Sequence, residues 1–201
     1  MVRHSLLAAS LLATAFTLPA AAAEKTAIFA GGCFWCIEKD FEHVKGVGDV
    51  VSGYSGGATP DPSYKTHVSG GHREVVKIPY DDSVVSYAQL LAIFFRTVNP
   101  TDGGGQFCDR GHSYSTAVYA LDGDQLAAAQ EAKKDAAAAL GKPIATEIAM
   151  AQKFHVAEDY HQNYAKRNPI RYNYYRTACG RDKAVKALWG DMAYKGVSKG
   201  S

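Results

Sequence analysis

Gly31-Gly32-Cys33-Phe34-Trp35-Cys36 has the residue types and spacing that chemistry on sulfur needs. A short apolar strand, Thr26–Ala30, runs into the two glycines, and Phe34, Ile37, Phe41 and Val44 then recur at helical spacing. Two glycines allow a sharp turn, so Cys33 falls at a helix N-terminus. Unpaired N–H groups and the helix dipole favour an anion there. A thiol so placed is expected to have a lowered pKa and to act as a nucleophile. The competing reading is a cysteine buried in a tight strand-to-helix turn, because cysteine packs as a small hydrophobe. Phe34 and Trp35 either pack in the core or line an apolar pocket. Cys36 gives a thioredoxin-like Cys-x-x-Cys spacing, but the proline of such motifs and the surrounding element order do not match. Cys108 and Cys179 stand alone and complete no zinc site.

Other elements must bring partners to that turn. Val47–Tyr54 reads as a strand, followed by a Gly/Pro/Asp loop to Ser63. Arg73–Tyr80 alternates, with Glu74, Val76, Ile78 and Tyr80 on one face. Glu74 is then either a carboxyl in apolar surroundings, with a raised pKa, or the solvated end of the strand. Ser86–Val98 is an amphipathic helix, and Asn99–Gly111 a Gly-rich loop carrying Cys108 and Asp109. Tyr114–Leu121 and Ile144–Met150 read as strands. Between them Asp122 caps an Ala-rich helix that ends at Leu140, with Gly141 just beyond. Ala157–Arg167 is a short polar helix bearing His161, Tyr172–Gly180 reads as irregular, and Arg181–Tyr194 as a last helix. Alternating strands and helices point to one α/β or α+β domain. Asp81-Asp82 and Glu158-Asp159 read as turn or cap residues, and Trp189 as a core anchor.

The chain has 201 residues, 47% hydrophobic and 21% charged, with a formal charge of +2. This composition excludes a disordered chain, and no basic block points to nucleic acid. Residues 1–23 resemble a secretory leader. Arg3 and His4 are followed by apolar Ser5–Leu18, then Pro19 and Ala20–Ala23, with cleavage expected after Ala23. A buried N-terminal helix is the alternative. Residues 24–201 are then the mature domain, exported to a periplasmic or extracellular space where disulfides persist. No other apolar run approaches the ~20 residues of a membrane span.

Five motifs in order carry a family resemblance. Gly31–Trp35 is similar to the signature of the A-type peptide-methionine sulfoxide reductases, which act on the S epimer. Val51-Ser52-Gly53-Tyr54-Ser55-Gly56-Gly57, Gly71-His72-Arg73-Glu74-Val75-Val76, Gly105–Tyr114 and Phe154–Gln162 resemble the motifs that follow in that family. Where the family often has Gln-Tyr-Arg-Ser, this chain has Ser113-Tyr114-Ser115-Thr116, which keeps only the tyrosine. Cys36 often corresponds to a glycine. Residues from about 168 onward form a tail of a kind that varies widely.

The resemblance implies a two-layer α/β plait with a mixed, mainly antiparallel sheet, flanking helices and a long C-terminal tail. It implies Cys33 as the nucleophile that becomes a sulfenic acid, and Glu74 as the acid. It implies Tyr54 and Tyr114 as donors to the sulfoxide oxygen, Phe34 and Trp35 as the pocket for the S-methyl group, and Asp109 and His161 as supporting residues. A second thiol must resolve the sulfenic acid; Cys179 is the first candidate, Cys36 the second and Cys108 the third. Substrates would be oxidised proteins and free methionine sulfoxide, and the reductant thioredoxin or a thioredoxin-like partner. Neither metal nor organic cofactor, nucleic acid nor membrane is implied, and a monomer is expected. Two other classes remain: a thiol–disulfide oxidoreductase using Cys33 and Cys36, and a non-catalytic exported domain with two structural disulfides.

Overall fold

The computed structural model describes residues 24–198, and the expected leader, 1–23, lies outside them. The chain begins with β1 (Glu24–Ala30), α1 (Phe34–Glu42), β2 (Val51–Ser55), β3 (Arg73–Asp81) and α2 (Tyr87–Phe95). A hairpin of β4 (Gly105–Gln106) and β5 (Asp109–Arg110) leads through a 3₁₀ turn, His112–Tyr114, to β6 (Ala117–Ala120). Then come α3 (Gly123–Leu140), β7 (Glu147–Met150), β8 (His155–Val156), α4 (Tyr164–Arg167), α5 (Pro169–Ala178) and α6 (Arg181–Trp189). Six strands form one sheet in the order β7-β6-β1-β3-β2-β8. Its neighbours are antiparallel except β6 and β7, whose parallel pairing follows from the crossover through α3.

Strand alternation decides what faces what. Val76, Ile78 and Tyr80 of β3 join Phe29 of β1 in a core with Phe34, Ile37 and Phe41 of α1 and Leu90, Leu91 and Phe94 of α2. Val75 belongs to a second cluster on the other face, with Ile28, Ala30, Ala117 and Tyr119. Glu74 has the parity of the first set, so β3 delivers its carboxyl beneath the start of α1. A nine-residue helix such as α1 is marginal alone. Burying Phe34, Ile37 and Phe41 stabilises it by roughly 1.5–3 kcal/mol per side chain.

Local signals fix the helix ends. Ser86 Oγ accepts the Gln89 N–H at 3.2 Å while Gln89 Oε1 accepts the Ser86 N–H at 2.8 Å, a capping box on α2. Asp122 accepts the Gln125 N–H at 2.7 Å, and Gly141 ends α3 in the left-handed region.

Several expected elements differ. Tyr172–Gly180, read as irregular, is largely helix α5. Pro169 starts it with φ already set, and packing of Tyr172 and Arg176, one turn apart, outweighs a sequence without an apolar stripe. The helix expected over 157–167 is helical only at Tyr164–Arg167, because β8 and left-handed Asn163 hold the preceding segment otherwise. The Gly-rich loop contains a hairpin, and Tyr114 lies in a 3₁₀ turn rather than in β6. The strand expected from Val47 begins at Val51, with Val47 keeping an isolated bridge to Tyr80.

Candidate active site

Cys33 is the N-cap of α1, with φ −52° and ψ 120°, and is 6% exposed. Gly32 before it has φ +87°, and a Cβ there would come within 2.7 Å of the Gln106 side chain. A Cβ on Gly31 would meet Ile37 at 2.5 Å. Gly32 is therefore required by conformation and close approach, whereas a side chain at Gly31 would have to displace Ile37.

Two of the N–H groups at the start of α1 are not left for the thiol. Phe34 N–H donates to Glu74 Oε2 at 2.9 Å, and Cys36 N–H to the Cys33 carbonyl at 3.1 Å. The expected lowering of the Cys33 pKa is corrected accordingly. Burial raises it well above the ordinary thiol range, followed by the hydrogen bond and charge of Cys36 and the charge of Glu74. Cys36 is lowered to about 7, first by the hydrogen bond from Cys33, then by the charges of Arg181 and Arg176. The two sulfurs are hydrogen-bonded and titrate as a pair, with burial opposing a charge at Cys33 and the two arginines favouring one at Cys36.

Glu74 is buried, and burial pushes its pKa up to about 8 against the opposing Phe34 N–H. Of the two readings of the β3 pattern, the structure has the carboxyl in the core. Tyr54 lies directly across from Glu74 in the β2–β3 register. Its hydroxyl donates to Glu158 Oε2 at 2.9 Å, while Glu158 Oε1 accepts the Tyr64 N–H at 2.9 Å. Glu158, read from sequence as a turn or cap residue, thus holds one of the candidate tyrosines. The Tyr114 hydroxyl makes no hydrogen bond to a described residue, and its ring meets the His67 ring edge-on at 6.3 Å.

Phe34 packs against Tyr54 at 5.8 Å and His161 at 4.9 Å. Trp35 stacks on Tyr164 at 3.7 Å, and its indole N–H donates to His161 Nδ1 at 3.1 Å. A neutral His161 therefore carries its hydrogen on Nε2. Asp109 accepts the Tyr175 hydroxyl, and Tyr175 packs beside Cys33 and Cys36. A groove of about 410 Å³ opens beside these residues, lined by Trp35, Tyr64, Tyr160, Tyr164 and Tyr174.

The tail supplies what sequence reasoning missed. Tyr172 packs with Cys33 and Cys36. Arg181 is buried and donates to the Gly31 carbonyl at 3.1 Å and the Thr97 carbonyl at 3.0 Å. Arg176 pairs with Asp40 at 2.8 Å and Asp182 at 2.7 Å and donates to the Tyr172 hydroxyl at 2.8 Å. No sequence signal separates these arginines from ordinary helix residues, because their role depends on where the tail folds back. Cys179 is bonded to Cys108 across 71 residues, whereas Cys33 and Cys36 are free. The first and third candidates for resolution are thus paired with each other, and the second lies one helical turn from Cys33. Two free thiols also depart from the arrangement a domain with two structural disulfides requires.

The family described as "Peptide methionine sulfoxide reductase" matches residues 25–193. Peptide methionine sulfoxide reductase MsrA 2 of Rhizobium meliloti is 56% identical over 93% of this chain and 96% of its own. Methionine sulfoxide reductase A of Corynebacterium diphtheriae superimposes with a TM-score of 0.70 at 31% identity, covering 76% of this chain and 79% of that one. Mxr1 of Saccharomyces cerevisiae in its reduced form gives 0.68 at 31% identity, covering 73% and 86%. Mxr1 has also been solved in complex with Trx2. With the motifs, the sheet and the thiol–carboxyl arrangement in agreement, the chain belongs to the peptide methionine sulfoxide reductase family, and within it to the A type.

Proposed function

We propose that this chain reduces the S epimer of methionine sulfoxide, in proteins and as the free amino acid, with Cys33 as nucleophile and Glu74 as acid. One observation carries the reading: a buried carboxyl, neutral below about pH 8, is hydrogen-bonded to the residue that follows the nucleophile. A sulfoxide sulfur becomes open to attack when its oxygen is protonated. As substrate enters, the Cys33 thiol loses its proton and attacks as the thiolate. Glu74 protonates the sulfoxide oxygen, the Cys33 sulfur takes the oxygen, and the substrate S–O bond breaks. Methionine leaves, and Cys33 is a sulfenic acid, oxidised by the two electrons the substrate gained. Tyr114, with a free hydroxyl, is the readier donor to the oxygen; Tyr54 reaches it only by leaving Glu158. Phe34 and Trp35 hold the S-methyl group, Asp109 and His161 orient their neighbours, and the aromatic groove accepts the chain on either side of an oxidised residue.

Cys36 then attacks the Cys33 sulfenic acid, water leaves, and a Cys33–Cys36 disulfide forms. Its position and lowered pKa support this role. A dithiol returns both thiols, and the Mxr1–Trx2 complex favours a thioredoxin-like reductant. The bond between Cys108 and Cys179 favours an oxidising compartment, in keeping with export after cleavage near Ala23. A single mature domain, residues 24–201, acts as a monomer in this reading.

The test is turnover of each methionine sulfoxide epimer by residues 24–201 with dithiothreitol, beside Cys33→Ser and Glu74→Gln. Consumption of the S epimer alone, lost in Cys33→Ser and slowed about 10²-fold or more in Glu74→Gln, is expected. Consumption of neither epimer, with brisk reduction of insulin disulfides, would replace this reading by a thiol–disulfide oxidoreductase built on Cys33 and Cys36.

A further inference from the structure

His67 lies in the loop between β2 and β3, and none of the motifs singled it out. Its side chain is completely buried. The ring stacks with Tyr54 at 4.9 Å and Tyr64 at 5.7 Å and meets Tyr114 edge-on. Nδ1 lies 2.9 Å from the Tyr64 carbonyl oxygen. A carbonyl can only accept, so Nδ1 carries the hydrogen. Burial holds the ring pKa down and the ring neutral, which leaves a lone pair on Nε2. That lone pair is buried without a partner and faces Glu74 Oε1 at 3.8 Å. The other carboxyl oxygen, Oε2, already accepts the Phe34 N–H. A proton on Oε1 leaves that bond intact and puts a donor opposite an orphan acceptor.

We propose that His67 is a positioning residue of this reaction: its Nε2 lone pair holds the Glu74 carboxyl proton on Oε1 until a sulfoxide oxygen takes it. The inference rests on Glu74 being the acid. With the proton in place, a buried donor faces a buried acceptor. Without it, a carboxylate faces a lone pair, an arrangement that repels. Asp109 on β5 and the Cys36 sulfur on α1 add negative charge that favours the proton on Glu74; His72 helps burial keep the His67 ring neutral, against a smaller opposing pull from Glu158. Proton bookkeeping is simple. One proton leaves Oε1 for the substrate oxygen, and one from solvent restores it, with Nε2 as the adjacent base that can receive it first. No electrons pass through either residue.

The experiment follows the carboxyl C=O stretch of Glu74 by infrared difference spectroscopy, with the band assigned by its loss in Glu74→Gln. Single-turnover formation of the Cys33 sulfenic acid is measured alongside. His67→Phe keeps an aromatic ring but removes the acceptor. The band should shift to the higher frequency of a carboxyl that donates no hydrogen bond, or vanish. The rate should fall on the order of tenfold, a fraction of what a general acid contributes. His67→Gln, whose amide oxygen can accept from Oε1, should restore band and rate together. Should His67→Phe not fold, His67→Asn keeps a donor toward the Tyr64 carbonyl without an acceptor near Oε1 and gives the same readout. A band that stays at its wild-type frequency in His67→Phe or His67→Asn, even with the rate lost, overturns the proposal and leaves His67 a packing residue. A Glu74→Gln variant with full single-turnover rate sinks the acid reading itself, independently of any His67 variant.

Discussion

Removing the sulfur of Cys33 and the sulfur of Cys36 should separate two steps. Cys33→Ser is expected to release no methionine at all. Cys36→Ser should release one equivalent and stop, with Cys33 trapped as a sulfenic acid that dimedone labels; steady turnover of Cys36→Ser with a thioredoxin-like reductant would move resolution to another thiol. Glu74 makes a second residue-level prediction, on stability. Its pKa is raised from the ordinary 4.5 to about 8 in the folded chain. Below pH 4.5 both folded and unfolded chains hold the proton. Between the two values only the folded chain holds it, so stability falls with rising pH by about 1.4 kcal/mol per unit. Above pH 8 the loss is complete. Urea unfolding across pH 5–8 should show that this slope is absent in Glu74→Gln.

At the scale of elements, the start of α1 and the start of α2 answer to different physics. Gly32 sits at φ +87° with Gln106 against it, so Gly32→Ala brings left-handed strain of roughly 1–3 kcal/mol and displaces Cys33. Stability and methionine release should fall together. Ser86→Ala removes one half of a capping box far from Cys33 in the chain and should cost about 1 kcal/mol while the rate per folded molecule stays unchanged. Chemical denaturation beside active-site titration distinguishes the two. The glycine pair after a strand is legible in the sequence as a turn, whereas the capping box at Ser86 comes to light with the structure, although both are local codes. Helix α5 carries no such code beyond Pro169. Tyr172 and Arg176 become its buried face only once Asp40 and Asp182 have come to meet the guanidinium.

Over the whole molecule, the Cys108–Cys179 bond joins the β4–β5 hairpin to the end of α5. Cys108 adjoins Asp109, and Cys179 lies one turn beyond Tyr175, so the bond fastens the same two segments as the Tyr175–Asp109 hydrogen bond. Closing a loop of this length stabilises by about 4 kcal/mol if the constraint acts on the unfolded chain. A Cys108→Ser, Cys179→Ser double variant should therefore unfold at lower denaturant, by about 2–4 kcal/mol, yet still release methionine in a single turnover. Loss of the single turnover in folded variant protein would instead assign the bond a part in the chemistry.

The sequence by itself determined the glycine turn, the cysteine at the head of α1, the parity of Glu74 on β3, the caps of α3, and the ordered motifs that name the family. Each of these is written in neighbouring residues, as spacing, alternation or turn chemistry. Only the tertiary structure decided which charges surround the Cys33–Cys36 pair, that Tyr54 gives its hydroxyl to Glu158, that Cys179 pairs with Cys108, and that His67 faces Glu74. Those outcomes depend on burial and on groups from distant parts of the chain: the Phe34 N–H taken by Glu74, and two arginines brought by the tail to Cys36. A thiol or a carboxyl has the same name in every sequence, but its proton affinity belongs to the surroundings that folding builds around it.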